Sequence, residues 1–381
     1  MRILIVTTDY ADFQRSFYGA NPALEAAPFD EQVLAREAEP FGIAASHAHY
    51  LRRLGHDVGL VISNCEPMQR AWAAEHGVPF GVRGARRLVL RGGIFPWVSR
   101  EPEPAWRSAI LLEQVRRFKP DVLLNESVVA IRPSLVARMR PYARRLVGLH
   151  GAILPDVLDL SGYDLLISSH RGIADQMARS GVRVEMVRHA FDARVLQFVG
   201  AEPPAIAASF IGNLGTAWNA RSRWLELLCS RHPVHVYGPP RMLETTPMTS
   251  AIRRSYMGEA WGTAMFRTLR ASRVSLNIHT DMAGMYASNM RMFEATGVGS
   301  LLLTDHKPNI DLLFEPGVEV LTFNSDEECS DLLGRCLADE TWRAGIAAAG
   351  HQRALTTHSM EQRIRDLADL LEGCLTSSAT A

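Results

Sequence analysis

Short apolar runs alternate with segments of helical periodicity along the first half of the chain. The runs are apolar on both faces, which is typical of strands buried inside a parallel sheet. The helical segments place apolar residues three or four positions apart and end at Gly or Pro. The predicted strands cover residues 2–8, 57–63, 87–91, 121–127, 144–150 and 164–169, and the predicted helices cover 41–55, 103–120 and 170–181. This order predicts a parallel sheet in a doubly wound α/β layer.

A second α/β domain is predicted to follow a break in this pattern. The break covers residues 198–208, which contain Pro203 and Pro204 and carry little strand or helix signal. Strand-like and helical segments then resume from residue 209. We therefore predict two doubly wound Rossmann-like domains that face each other across a cleft. The predicted boundaries are 1–198 for the N-terminal domain, 207–357 for the C-terminal domain, 358–374 for a closing helix that packs back towards the N-terminal domain, and 375–381 for a flexible tail.

Composition and charge narrow the expected partners. The chain has 381 residues, and its 41 Lys and Arg residues balance 41 Asp and Glu residues. A nucleic-acid-binding protein usually carries a basic surplus, so no nucleic-acid partner is expected. The five cysteines form no C-x-x-C pair, which predicts neither disulfides nor a zinc site. Since no run of about 18 apolar residues and no signal-peptide pattern is present, we expect a cytoplasmic protein without a membrane span.

Several common catalytic motifs are missing from the sequence. The first predicted strand ends in Thr7 to Tyr10 rather than in the G-x-G-x-x-G turn of nicotinamide-binding proteins. There is no Walker-type phosphate loop, no G-x-S-x-G nucleophile elbow and no D-x-D pair that would hold a metal on a sugar nucleotide. We therefore expect neither a nicotinamide cofactor nor a catalytic metal.

A candidate anion site lies in the segment NMRMFEATGVGSLLLTD, residues 289–305. Asn289 and Arg291 stand at the predicted start of its helix, where free N–H groups, the helix dipole and a guanidinium favour a diphosphate. Glu294 follows one turn later, and an ionised carboxylate accepts hydrogen bonds from the paired hydroxyls of a ribose. The segment therefore predicts a nucleoside diphosphate site. The alternative is a surface ion pair between Arg291 and Glu294 with no ligand.

A glycine-rich turn follows the first predicted strand of the second domain. Gly212, Asn213 and Gly215 occupy it, and glycine lets a backbone approach a ligand closely. The turn is therefore a second candidate part of the donor site, although turn glycines without a ligand explain it equally well.

Six segments of the second half follow one another in a recognisable order. They are SFIGNLG (209–215), YMGEAWG (256–262), FRTLRASRVSLNIH (266–279), residues 289–305, LFEPGVEVLTFNSDEE (313–328) and AAAGHQRALTTHSMEQRI (347–364). In these segments the chain resembles the nucleotide-sugar domain of GT-B-fold glycosyltransferases, in particular the CgeB-like (spore-maturation-type) branch related to family-1 glycosyl transferases. The first half resembles the acceptor domain of these enzymes more weakly, in residues 146–151, 164–182 and 187–192.

The resemblance implies roles for single residues. Glu294 matches the second acid of the E-x7-E motif, which holds the ribose, but the first acid is replaced by Tyr286. Asp281 is the nearby acid that would substitute for it. His150 matches a histidine that contacts the transferred sugar, with a capped loop histidine as the alternative.

Three further residues are placed on the donor side by the same resemblance. Gly258 and Trp261 lie in the segment that surrounds the base, and His279 ends a matched strand. A plain core role explains Trp261 nearly as well.

The implied activity is transfer of a sugar from a nucleoside diphosphate sugar to an acceptor, without a metal. The resemblance favours retention of configuration, and Asp9 or His150 is the candidate base if the reaction inverts. The alternatives are a nucleotide-sugar 2-epimerase on the same fold and a non-catalytic nucleotide-sugar-binding protein.

The acceptor is predicted to meet the loop after the first strand, residues 8–32. Tyr10, Phe13, Phe17 and Tyr18 in this loop are suited to stack on a sugar or an aromatic compound, or else to form a small core cluster. A glycan, a natural product and a protein all stay open as acceptors.

Overall fold

The computed structural model describes residues 1–81, 87–91, 95–99, 105–155, 157–215, 217–280 and 284–376. In these ranges the strands β1 to β14 are, in order, Arg2–Thr7, Asp57–Ile62, Arg87–Arg91, Phe95–Ser99, Val122–Asn125, Arg145–Leu149, Leu165–Ser168, Val184–Met186, Ile206–Ile211, Val234–Tyr237, Tyr256–Gly258, Ser272–Asn277, Leu301–Asp305 and Leu321–Phe323. The helices α1 to α14 are Ala11–Ala20, Phe29–Ala38, Ala44–Arg53, Glu66–Glu75, Ala105–Phe118, Pro133–Met139, Arg171–Ala178, Ala220–Arg231, Ala251–Ser255, Gly262–Ala271, Met290–Gly297, Asp326–Ala338, Glu340–Thr356 and Met360–Thr376.

The first sheet is parallel and six-stranded, in the order β2-β1-β5-β6-β7-β8. Alternate side chains of β1 point to opposite faces, as the period of a strand requires. Ile3 and Ile5 pack in a core with α3 and α14, whereas Leu4 and Val6 pack in a second core with α5 and α6. Helices therefore cover both faces, which explains why the strands are apolar throughout.

The second sheet repeats this architecture with the order β11-β10-β9-β12-β13-β14, again all parallel. Phe210 packs with α8 and α12 on one face, and Ile211 packs with α10 and α11 on the other. The predicted class of two doubly wound Rossmann-like domains is confirmed.

The closing helix α14 returns to the N-terminal domain. Ile364 and Leu367 are fully buried in the same core as β1. A backbone bridge holds the start of the helix, because Phe191 donates its N–H to the carbonyl of His358 and accepts a hydrogen bond from the N–H of Met360. The predicted packing of this helix is confirmed.

Phe191 also fixes the end of α11. A Cβ at Gly297 would overlap the Phe191 ring, so only glycine lets the helix approach the segment that joins the two domains. The chain then turns at Gly299, whose φ of +84° favours glycine, and enters β13.

Parts of the predicted pattern are wrong. The strand at 87–91 pairs antiparallel with residues 95–99 in a separate two-stranded sheet, not in the main sheet. The region 8–32, predicted as a loop, contains α1, a short 3₁₀ helix at Pro22–Ala26 and the start of α2. α14 extends to Thr376, and the rest of the predicted tail, 377–381, lies outside the described residues. No helix in the described ranges is long and apolar enough to cross a bilayer.

Candidate functional site

The carboxyl ends of the two sheets face each other and make direct contacts. Ser288, before α11, donates its hydroxyl to the carbonyl of Ser169, which follows β7, at 2.5 Å. On the other side of the cleft the N–H of Thr263, at the start of α10, donates to Glu39 Oε1 at 2.5 Å. These contacts bring the loops after the strands of both domains together, where ligands of open α/β sheets bind.

Two guanidiniums converge at the end of β9. Arg291 Nη2 lies 3.4 Å from the carbonyl oxygen of Ile211. Arg221, on α8, reaches the same turn, since a Cβ at Gly212 would lie 3.3 Å from its Nη2. The Phe210 ring comes still closer, at 3.1 Å, so Gly212 leaves room for both side chains beside the backbone.

Arg221 is partly buried, and its Nε is buried without a hydrogen-bond partner. Burial lowers the pKa of its guanidinium to about 10. The negative charge of Asp305 opposes this shift, and the positive charge of the neighbouring Arg291 adds to it. Arg221 also lies over the Phe210 ring, 5.2 Å from its centroid. Two like charges at one turn repel each other, and an anion between them offsets the repulsion, so this geometry suits an anionic ligand.

The start of α11 faces the same turn. Asn289 is its N-cap residue but makes no side-chain capping bond. It donates instead to Asn277 Oδ1 at 2.8 Å, and its own Oδ1 is buried without a partner. The first amides of this helix are therefore free of a side-chain cap, as an anion site at a helix start requires.

Glu294 lies one turn into α11 and accepts a hydrogen bond from Arg291 at 2.8 Å. The pair is not on the surface, because only 13% of the Glu294 side chain and 16% of the Arg291 side chain are exposed. Burial raises the pKa of Glu294, while the charge of Arg291 opposes the shift. Across the cleft the carboxylate borders a cavity of about 30 Å³ with Ile43 and Asp192.

His279 follows β12 and is held by Asp305 at the end of β13. Its Nδ1 lies 2.7 Å from Asp305 Oδ1, which also accepts its backbone N–H. Burial by itself raises the pKa of Asp305, but the hydrogen bonds and charge of His279 outweigh it and the pKa lies below its usual value. His279 Nε2 is buried without a partner, so the ring presents an unused polar atom.

The other predicted donor residues lie in neighbouring turns. Asn213 Oδ1 accepts the N–H of Gly215, whose φ is +89°. Gly258 ends β11 with a φ of +102° and accepts a hydrogen bond from the N–H of Gly238. The Trp261 ring is part of an aromatic group that spans both domains, and its Nε1 is buried and unpaired.

Histidines line the facing edge of the N-terminal domain. His150 follows β6; burial lowers its pKa, a backbone hydrogen bond at Ile153 opposes this, and its Nε2 is buried without a partner. Burial and the charges of His279 and His150 lower the pKa of His170 to about 4. Burial, with His170 adding to it, lowers the pKa of His189 to about 3. These rings are neutral at pH 7.

The structure does not support Asp9 as a free base. Arg36 donates Nε to Asp9 Oδ2 at 2.6 Å and Nη2 to Oδ1 at 2.8 Å, and both side chains are buried. Both carboxylate oxygens are therefore used inside the domain.

The predicted acceptor aromatics separate into two groups. Tyr10 is 70% exposed and lies 6.1 Å from the Trp261 ring, between ring centroids. Phe13, Phe17 and Tyr18 are buried in the N-terminal core, and the Tyr18 hydroxyl donates to Gln32 at 2.7 Å. The core alternative is therefore correct for these three, because α1 turns them inward.

Of the two residues considered for the missing motif acid, the structure describes one. Tyr286 lies before α11 and is 45% exposed. Asp281, the predicted substitute, lies outside the described residues.

Comparisons with known proteins agree with this geometry. Residues 221–369 match a family described as glycosyl transferase-like. No curated protein matches the chain by sequence. Among solved structures, a glycosyltransferase from Rickettsia africae ESF-5 is similar at 10% identity with a TM-score of 0.58, over 99% of both chains. The fold is GT-B.

Two more GT-B structures align over most of this chain. Anabaena HepE, solved in complex with UDP-glucose, is 13% identical with a TM-score of 0.58, over 98% of this chain and all of HepE. AviGT4, a glycosyltransferase involved in avilamycin A biosynthesis, is 17% identical with a TM-score of 0.54, over 89% of this chain and 92% of AviGT4. The family match covers residues 221–369 and the shared fold covers nearly the whole chain, and both agree with the resemblance seen in the sequence.

Sequence reasoning missed some residues of the GT-B cleft. Arg221 stands at the start of a helix that follows a glycine turn. A position at a helix start also selected Arg291, so the sequence contained enough information to select Arg221 as well. Asp305 ends β13, and Glu126 directly follows β5. Their importance depends on contacts with histidines more than 20 residues away in the chain, His279 for Asp305 and His47 for Glu126.

Proposed function

We propose that this protein transfers a sugar from a nucleoside diphosphate sugar to an acceptor without the help of a metal. The observation that carries the proposal is the convergence of two partly buried guanidiniums, Arg221 and Arg291, at the end of β9. Arg291 donates to Glu294, whereas the Nε of Arg221 is buried without a hydrogen-bond partner. A diphosphate binds to both guanidiniums.

The same groups stabilise the leaving group. As the bond between the sugar and the diphosphate breaks, negative charge grows on the phosphate oxygens, and fixed cations and helix-start amides stabilise such charge more than they stabilise the bound donor. Arg221, Arg291 and the first amides of α11 fill this role. Their positive charge is the reason why we propose a metal-independent reaction.

Glu294 receives the ribose in this proposal. Its carboxylate lies one turn beyond the helix start, so a donor with its diphosphate on the guanidiniums extends its ribose along α11. The base then lies near Gly258 and Trp261. Because HepE was solved with UDP-glucose, uridine diphosphate sugars are the first donors to test.

The sugar itself is proposed to lie between His279 and the N-terminal edge, where His150 Nε2 is unpaired. We favour retention of configuration, with the departing diphosphate taking the acceptor proton. For an inverting reaction His150 is the stronger candidate base, because Arg36 occupies both oxygens of Asp9. Analysis of the anomeric configuration of the product distinguishes the two.

Donor binding is tested with Glu294→Ala. Loss of a charge-assisted ribose contact is expected to weaken UDP-glucose binding by about 1.5–3 kcal/mol, measured by calorimetry, with the melting temperature of the free protein as the folding control. Glu66→Gln, an exposed glutamate on α4, is the matched control and is expected to change nothing.

The choice of donor and the reaction class are tested together. A thermal-shift screen against UDP-, GDP-, dTDP- and ADP-sugars identifies the donor, because a ligand bound by the folded state raises its melting temperature. Release of nucleoside diphosphate in the presence of acceptors supports a transferase. Epimerised donor without release, or binding without any reaction, contradicts the proposal.

A further inference from the structure

Glu126 is a buried carboxylate in the cleft that the donor site does not use. It directly follows β5, and its N–H donates to the carbonyl of Val6 on the neighbouring strand β1. Oε1 lies 2.5 Å from Nδ1 of His47, on α3. Only 2% of the Glu126 side chain and 5% of the His47 side chain are exposed. The backbone and His47 together fix this carboxylate in one position.

The second oxygen of Glu126, Oε2, is buried and has no hydrogen-bond partner. A buried carboxylate oxygen without a donor is costly, and such atoms normally have a protein or ligand partner. A carboxylate with such an oxygen at the carboxyl end of a central strand indicates that a ligand atom in the cleft is its partner. Because an ionised carboxylate only accepts, that atom is a hydrogen-bond donor.

The surroundings of Glu126 belong to the N-terminal edge. Ser127 Oγ, next in the chain, lies 3.0 Å from Thr8 Oγ, so β5 and the end of β1 form one polar surface. His47 lies close enough to His189 for its charge to affect that ring. The cations proposed to hold the donor, Arg221 and Arg291, project from the other domain. A ligand on Glu126 is therefore the second substrate.

We propose that Glu126, positioned by His47, binds a hydroxyl group of the acceptor and selects neutral, hydroxyl-rich acceptors such as sugars and polyols. This inference rests on the proposed glycosyltransferase function. A hydroxyl donates its proton to Oε2 and still accepts from a neighbouring group, which fits an edge of neutral histidines and serines. An ammonium group only donates and would need several acceptors around it.

The charge of Glu126 adds a selection against anionic acceptors. A carboxylate or phosphate group near Oε2 would bring a second negative charge into a buried site, where like charges repel strongly. His47 is a positioning residue in this account, because its ring fixes Oε1 and thereby the orientation of the carboxylate.

The test compares Glu126→Gln with the parent protein on two acceptor sets. One set contains neutral monosaccharides and alkyl glycosides, and the other contains uronic acids and sugar phosphates of the same skeleton. Glutamine keeps the shape and an oxygen for His47 but presents an amide in place of Oε2. The expected result is a rise of about tenfold in KM for the best neutral acceptor and a smaller discrimination against the anionic ones. UDP-glucose affinity and donor hydrolysis without acceptor are expected to stay unchanged.

Other outcomes overturn the proposal in recognisable ways. An unchanged acceptor KM and unchanged discrimination exclude Glu126 from the acceptor site, and an equal loss of donor affinity assigns it to the donor site. If no variant, nor the parent, binds any nucleotide sugar, the proposed function itself fails. Should Glu126→Gln not fold, Glu126→Asp carries the test, because it keeps the charge and withdraws the oxygen by one methylene. Its acceptor KM must then rise while the discrimination against anions remains.

Discussion

The two domains repeat one fold but treat their buried charges in opposite ways. On the C-terminal edge, Arg221 and Arg291 lie together, and the Nε of Arg221 is buried without a hydrogen-bond partner. On the N-terminal edge, the buried cation Arg36 is fully used by Asp9 within the domain, and the remaining groups are histidines and Glu126. We therefore propose an anionic ligand for the C-terminal edge and a hydrogen-bond donor for the N-terminal edge.

This difference shows that the fold determines where a ligand binds but not what it is. The strand ends of both sheets form the walls of one cleft, and the side chains that follow the strands decide the chemistry. A buried charge without a partner marks a ligand site, and a buried charge with a complete set of partners marks a structural element. Three measurements test this distinction.

Arg36→Met is expected to have the largest effect, and on stability rather than on donor binding. Removing one partner of a buried ion pair leaves Asp9 charged and uncompensated, so the free energy of unfolding should fall by about 3–5 kcal/mol in urea denaturation. Arg171→Met, which breaks the exposed pair with Asp175, should cost no more than about 1 kcal/mol. Equal losses in the two variants would contradict the structural role of Asp9.

Arg221→Met is expected to show the reverse behaviour. Loss of charge-assisted hydrogen bonds to the diphosphate should weaken UDP-glucose binding by about 1.5–3 kcal/mol, or roughly 10- to 150-fold, in calorimetry. The melting temperature of the free protein should stay the same or rise, because the change removes a partly buried cation that lies beside a like charge. Arg231→Met, at the exposed end of the same helix, is the control. A variant that loses stability and keeps its donor affinity would make Arg221 a structural residue.

The pH dependence of donor binding is the smallest of the three effects. Burial raises the pKa of Glu294, so on acidification it takes up a proton at a higher pH than an ordinary glutamate, whose pKa is about 4.3. The protonated acid loses part of its accepting capacity, and UDP-glucose affinity should therefore fall a few-fold as the pH decreases towards that value. The diphosphate of a nucleotide sugar stays ionised in this range. Glu294→Gln should show a flat profile, and parallel profiles for both proteins would remove Glu294 from the ribose site.

The sequence was sufficient for the architecture, because strand and helix periods are local properties. Alternating apolar runs and helical segments predicted both sheets, and the glycines at 212 and 215 marked a turn that the structure shows with a close approach at Gly212 and a positive φ at Gly215. The hairpin partner of residues 87–91 was not predicted, since an apolar run does not specify which strand it pairs with.

For the site, the sequence predicted contacts between residues that lie one helical turn apart. Arg291 and Glu294 share a helix face, so their i, i+3 spacing predicted the pair that the structure contains. The nucleotide-binding role of that pair stays a prediction.

Only the tertiary structure decided which polar groups are already satisfied. Asp9 looked like a free acid until α2 brought Arg36 to it, and Tyr18 looked like a stacking residue until α1 turned it into the core. Arg221 and Glu126 became candidates in the same way, because each has a buried side-chain atom without a hydrogen-bond partner. Pairing and burial join segments far apart in the chain, and for that reason the sequence alone determined where the cleft lies but not which of its charges are free to meet a substrate.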